Sequence, residues 1–276
     1  MQQYDYDRMR RLSADIRIET IKALTEAGYG HIGGSLSIAD ALGALYGGVM
    51  NIRPEEPDWD ERDFLVMSKG HCGPALYAAL ALRGYFPMED MKQINRGGTK
   101  LPSHCDRLKT RGIDMTTGSL GQGMSSAEGI ALANRLKGLS SYTYCILGDG
   151  ECQEGQVWEG AELAVQLKLD RFIVLVDDNK KQLDGPVENV RTGQDLKKKW
   201  EAFGFHAQRV AGYDVEAICD GIERAKEAAG VPSVILLDTL KGLGGDFAEK
   251  VAFNHYMVMN WDMANKAIAE IERRLA

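Results

Sequence analysis

The sequence predicts an α/β fold: a single doubly wound parallel-sheet domain with helices on both faces. Three observations predict it. Phe64-Leu65-Val66-Met67 and Phe172-Ile173-Val174-Leu175-Val176 are unbroken apolar runs, the signature of strands covered on both sides. Other segments repeat apolar residues at helical spacing. The two kinds alternate through the second half of the chain, as a parallel sheet with helical crossovers requires.

The elements follow in order. Met9, Leu12, Ile16, Ile21 and Leu24 predict a helix over Asp5 to Ala27, ended by Gly28. Ser37 reads as the N-cap of a second helix before Ile38-Ala39-Asp40. Phe64 to Met67 is a strand, and Ala75 to Leu82 an alanine-rich buried helix. Gln122 to Leu136 is helical, Tyr142 to Leu147 a strand, and Val157 to Leu167 a helix. Phe172 to Val176 is a strand, Leu196 to Phe203 a helix, and His206 to Val210 a strand. Val215 to Ala228 is a helix, Ser233 to Leu237 a strand, and Met259 to Leu275 a closing helix. Lys197-Lys198-Lys199 falls in a helical pattern and reads as a solvated face.

Composition narrows the function. The 276 residues are 44% hydrophobic and 26% charged, as in soluble globular domains. Lys+Arg number 33 against 40 Asp+Glu, a net charge of -7, so nothing draws the whole chain to nucleic acid or to an anionic membrane. Any anion is bound at a local site. The five cysteines are scattered with no CxxC pair, which argues against a disulfide framework or a thiolate zinc site. Met1 to Asp5 lacks the basic-then-apolar pattern of a secretion signal, and no apolar run approaches the roughly 20 residues of a membrane span. A soluble cytoplasmic protein is expected.

Open parallel sheets bind ligands beyond the carboxyl ends of their strands. Two such ends carry chemistry: Gly148-Asp149-Gly150-Glu151 and Asp177-Asp178-Asn179-Lys180-Lys181. Asp149 and Asn179 are 30 positions apart, room for one strand–helix–strand unit. If the two strands are neighbours, a carboxylate and an amide oxygen converge with a backbone carbonyl. Those are hard donors suited to Mg2+ or Ca2+, with open positions for phosphate oxygens. Gly148 and Gly150 allow close approach, and a helix starting near Gln153 would aim its amides at the same anion. Each feature alone is ordinary, since Gly-Asp-Gly also makes turns.

Gly148-Asp149-Gly150 followed by Asn179 resembles the signature of thiamine-diphosphate enzymes. Four further blocks, in order, resemble transketolase: Gly30-His31-Ile32-Gly33-Gly34-Ser35, Ser68-Lys69-Gly70-His71, Thr117-Gly118-Ser119-Leu120-Gly121-Gln122-Gly123 and Asp177 to Gly185. The likeness covers most of the chain and is greatest to the N-terminal section of transketolases encoded as two polypeptides. It implies the thiamine-diphosphate-binding fold over 1–276.

The resemblance also implies roles. Asp149, Asn179 and the carbonyl of Lys181 match the ligands of Mg2+, a place Ca2+ or Mn2+ also fills. Gly150 matches a diphosphate contact, and Gly118 and Leu120 the segment that holds the aminopyrimidine. Ser119 stands where many transketolases have Pro. Glu154 and Glu159 match buried acidic residues that link two cofactor sites across a dimer. Of the five histidines, His31, His71 and His104 lie in or beside glycine-rich loops, where catalytic imidazoles are often found. By resemblance His31 and His104 contact substrate hydroxyls, His71 lies near the diphosphate, and His255 reaches both diphosphate and substrate. The family usually has Gly after that last histidine; here Tyr256 follows it. His206 has no motif around it and reads as structural. Lys241 is a possible phosphate contact, with surface solvation the reading preferred from sequence.

The implied activity is transfer of a two-carbon ketol unit from a ketose phosphate to an aldose phosphate. Transketolases carry a pyrimidine-binding and a C-terminal domain, and neither pattern occurs in this chain. The expectation is therefore inactivity alone and a C-terminal partner subunit, in an α2β2 assembly or around a homodimer, with a sticky partner-facing surface. The pentose-phosphate reaction is the default; sulfosugars and branched pentuloses stay open. The rivals are a deoxyxylulose-phosphate synthase-like or 2-oxo acid dehydrogenase E1 subunit, and a non-catalytic half-enzyme. The histidine blocks favour the transketolase reading.

Overall fold

A computed structural model describes residues 3–191 and 195–275. Its centre is a five-stranded, all-parallel sheet: β1 Phe64–Met67, β2 Thr143–Gly148, β3 Phe172–Asp178, β4 His206–Ala211 and β5 Ser233–Asp238. Their spatial order is β1-β2-β3-β5-β4. The helices are α1 Tyr6–Ala27, α2 Ile32–Ser37, α3 Ala39–Ala44, α4 Gly73–Leu82, α5 Gln122–Leu136, α6 Gly155–Gln166, α7 Leu196–Ala202, α8 Val215–Glu227 and α9 Trp261–Leu275, with shorter turns between.

The two-residue period of the strands sorts the core into two layers. Leu65, Tyr144, Ile146, Ile173, Leu175 and Ile235 face one way, into a cluster with residues of α1, α3, α4, α8 and α9. Val66, Cys145, Leu147, Val174, Val176 and Leu236 face the other, against α5, α6 and Trp200 of α7. The strands β1, β2, β3 and β5 are therefore apolar along most of their length, while the edge strand β4 carries His206, Gln208 and Arg209. The predicted doubly wound sheet is the fold observed.

Local signals set the boundaries. Asp5 caps α1 by accepting from the Arg8 amide at 3.0 Å, and Gly28 ends it with φ 85°. Asp214 caps α8 through the Glu216 amide. His206 sits at the start of β4, its Nδ1 3.4 Å from Ser233 Oγ, a structural position as expected. All five cysteines are buried and free. Among the described residues no helix is long and apolar enough to cross a membrane.

Three expectations need correction. Ser37 closes α2 rather than opening the next helix, because its buried hydroxyl donates to Asp177 Oδ2 at 2.7 Å and to the Gly34 carbonyl. Glu151–Gln153 is a 3-10 turn, and α6 starts only at Gly155. The helix amides are thus carried one turn away from Asp149. Lys199 is not simply solvated: its ammonium lies over the Trp158 ring, 3.7 Å from the centroid.

Candidate active site

β2 and β3 are neighbours, with Gly148 opposite Asp177, so the two loops start side by side. Asp149 is buried. Its Oδ1 accepts from the Gly150 amide at 2.8 Å and its Oδ2 from the Lys180 amide at 2.6 Å. Asn179 is oriented by its Nδ2, which donates to Asp177 Oδ2 at 2.7 Å. Its Oδ1 accepts from the Lys181 amide at 3.1 Å. Asp149, Asn179 and Lys181 all line one cavity of about 510 Å3.

This donor set fits a divalent cation. Burial, then the charges of Asp177 and Asp178, push the Asp149 carboxyl up to about 7. Asp177 has Lys69 beside it and Asp178 has Arg209 and Lys180, whereas Asp149 meets only backbone amides among the described residues. A cation here would supply the missing counter-charge, and carboxylate, amide and carbonyl oxygens are its usual ligands. Gly150 lets Gln182 pack against this loop: a Cβ there would lie 2.8 Å from Gln182 Cβ. The Lys181 carbonyl presently accepts from Lys241 Nζ at 3.0 Å.

Lys241 is therefore not a solvated surface residue. It is 3% exposed, and burial holds its ammonium below the usual lysine range. Its Nζ lies 3.1 Å from His255 Nδ1, and its carbonyl accepts from Asn254 Nδ2. It links the Lys181 carbonyl to the histidines.

The four loop histidines converge. Ring centroids are 4.6 Å apart for His71 and His255, 5.3 Å for His31 with both His104 and His255, and 5.6 Å for His31 with His71. α2 begins after His31, and His71 sits in the turn Gly70–Cys72 before α4. Gly34 leaves room for this: a Cβ there would meet Cys72 Sγ at 2.8 Å and His71 Nε2 at 3.4 Å. Burial, then His104 and Lys241, lowers His31 to about 4. Burial and Lys241 lower His255 to about 3, and burial lowers His71 and His104 as well. All four are neutral imidazoles near pH 7, able to donate at one nitrogen and accept at the other.

Gly118 lies against His104, 3.4 Å from its ring at the nearest point of an added Cβ. Leu120 is 36% exposed on the same loop. Glu154 flanks Gly121, and both Glu154 and Glu159 are exposed in the single chain. Three supporting residues carry no signal of their own in the sequence, although all lie within or beside the glycine-rich blocks. Glu151 accepts from Ser68 Oγ at 2.5 Å, from the Gly121 amide at 2.9 Å and from the Gly148 amide at 3.1 Å. It joins the 117–123 loop to the end of β2. Lys69 and Asp177 form a buried ion pair beneath Asn179.

Residues 9–262 match the family described as transketolase, thiamine diphosphate binding domain. The chain belongs to the transketolase family. It is 50% identical over 258 residues to the 6-deoxy-6-sulfo-D-fructose transketolase subunit of Clostridium sp. (strain MSTE9), covering 94% of each protein. It is 36% identical over 269 residues to an apulose-4-phosphate transketolase subunit of Actinobacillus succinogenes, covering 97% of each. A Pichia stipitis transketolase structure superposes with a TM-score of 0.90 at 31% identity, over 97% of this chain and 40% of that one. The chain thus spans about two fifths of that solved transketolase and nearly all of the two relatives named as subunits. It corresponds to the N-terminal, thiamine-binding section of the transketolase family.

Proposed function

We propose that this chain, 1–276, is the diphosphate-binding subunit of a two-component transketolase. It transfers a two-carbon ketol unit from a ketose to an aldose with thiamine diphosphate and Mg2+, and acts only with a C-terminal subunit in an α2β2 assembly. The observation that carries the reading is one cavity lined by Asp149, Asn179 and Lys181, joined through Lys241 to a cluster of four histidines.

When bound, thiamine diphosphate supplies carbanion chemistry at the donor carbonyl. The chain's residues do the rest. Asp149, Asn179 and the Lys181 carbonyl would hold the cation, and Gly150, His71, His255 and Lys241 would bind the diphosphate. Gly118 and Leu120 hold the pyrimidine end, while the exposed Glu154 and Glu159 face the partner side. His31 and His104 bind sugar hydroxyls and move protons to and from them. Neutral imidazoles suit that task, because one nitrogen accepts a hydroxyl proton while the other donates.

The substrate class is a ketose with a charged terminal group. The 50% relative makes 6-deoxy-6-sulfo-D-fructose the first donor to test, and the 36% relative makes apulose 4-phosphate the next. The experiment co-purifies the chain with its C-terminal partner, then follows two-carbon transfer with thiamine diphosphate and Mg2+. Activity is expected only in the complex. Asp149→Ala should lower it at least a hundredfold and weaken Mg2+ binding. Full activity of Asp149→Ala would refute the cation assignment, and activity of the chain alone would refute the two-component reading.

A further inference from the structure

Tyr256 follows His255 directly and sets its ring edge-on to His31, with centroids 5.0 Å apart. Its other neighbour is Tyr29, stacked at 5.8 Å with 30° between the planes. An antiparallel pairing brings them together from opposite ends of the chain: Tyr29 opposes Val258, and Gly30 opposes Met257. Tyr29 is 42% and Tyr256 47% exposed, whereas the histidines behind them are more buried.

These contacts form one line from the cation ligands to solvent. Lys241 Nζ lies 3.0 Å from the Lys181 carbonyl and 3.1 Å from His255 Nδ1. The His255 ring stands 5.3 Å from His31, and Tyr256 and then Tyr29 lie beyond His31. A sugar with its reacting end among the histidines meets the tyrosine rings with its remaining carbons. The core gives these rings no reason to be aromatic, because both are about half exposed. Large rigid rings at a site mouth present contact area with few torsions to freeze.

We propose that Tyr29 and Tyr256 form an aromatic lip that binds the carbon chain of the ketose beyond the bond that is cleaved, and so set donor affinity. The inference rests on the ketol-transfer reading. Burial and the neighbouring Tyr29 hold the Tyr256 phenol above its ordinary value, so that ring stays uncharged at neutral pH.

The test uses the complex with the C-terminal partner and two donors, 6-deoxy-6-sulfo-D-fructose and D-fructose 6-phosphate, which differ in the group on the last carbon. Tyr256→Ala and Tyr29→Ala should each raise the donor KM about tenfold, the scale of one lost apolar contact in a substrate pocket. The turnover number should stay within about threefold, and the thiamine diphosphate Kd within about twofold. Tyr256→Phe should restore the wild-type KM, since the ring makes the contact. An unchanged KM in the alanine variants overturns the proposal while leaving the transketolase reading intact. Loss of the partner on gel filtration, or an equal fall in cofactor affinity, overturns it by making the pair a structural or docking element. A loss confined to one donor overturns it by placing the rings at the terminal group. No transfer by the wild-type complex from these two donors or from apulose 4-phosphate overturns both readings.

Discussion

Replacing Lys69 by Met should be among the costliest single changes in this chain. Lys69 is 1% exposed and Asp177 is fully buried. The ammonium donates to Asp177 Oδ2 and to the Gly34 carbonyl at 3.2 Å. Burial alone would lower the lysine, but Asp177 more than offsets it and the ammonium ends above its usual range. Ser37 Oγ and Asn179 Nδ2 also donate to the same carboxylate oxygen, each at 2.7 Å. Methionine keeps the length of the stem and removes the charge. Asp177 is then left as a buried carboxylate with two neutral donors, a cost of about 3–5 kcal/mol. With a urea slope of about 3 kcal/mol per molar, the unfolding midpoint should fall by roughly 1 to 1.7 M. Tryptophan fluorescence reads this, since Trp158 and Trp200 sit in the core. Adding Asp177→Asn should recover about half of the loss, because the orphaned charge goes with it. A cost under about 1 kcal/mol for Lys69→Met, or a double variant no better than the sum of the singles, would refute the reasoning.

Two further predictions concern the same site. A Cβ at Gly33 would stand 2.2 Å from the Asn254 carbonyl oxygen, so Gly33→Ala should destabilise the chain by about 1–3 kcal/mol and displace His255, seen as a lower melting temperature and weaker cofactor binding. His31, held at about 4, should show no imidazole titration by NMR between pH 8 and 5. Its folded pKa lies below the unfolded value near 6.5, so the unfolded chain takes up the proton first. Its contribution to stability is complete above about pH 6.5 and declines as pH falls through the window toward 4. Titration of His31 itself near 6.5 in the folded protein would show that the cluster is wetter than its packing indicates.

The sheet was legible because a strand covered on both faces has to be apolar at successive positions. Phe172 to Val176 could be read directly for that reason, and β3 extends past it through Asp177 and Asp178, whose charges are neutralised by Lys69 and Arg209. Asp149 and Asn179 were legible as a pair because strand ends of adjacent β-units must lie together. Ser37 misled because a serine before a helical pattern usually caps it, while this hydroxyl is drawn into the core by Asp177. Lys241 misled for a similar reason: a lysine among glycines suggests a surface loop, and only the fold places its Nζ on the Lys181 carbonyl. The lip could not be foreseen either, since nothing local connects Tyr29 to Tyr256.

That last pairing has a consequence for how the protein is made. Tyr29 and Val258 are 229 positions apart, and the Gly33 carbonyl also accepts from the Gly242 amide, 209 positions on. On a ribosome moving at about 5–20 residues per second, the first segment waits roughly 10 to 45 s for its partner. Until then His31 has left the exit tunnel with no His255 beside it, and the loop that carries it lacks the strand that fixes its path. The histidine cluster is thus among the last parts of the nascent chain to take shape, since His255 follows the last strand of the sheet. A pause in translation before Asn254 would prolong an otherwise folded domain with an open, unassembled mouth.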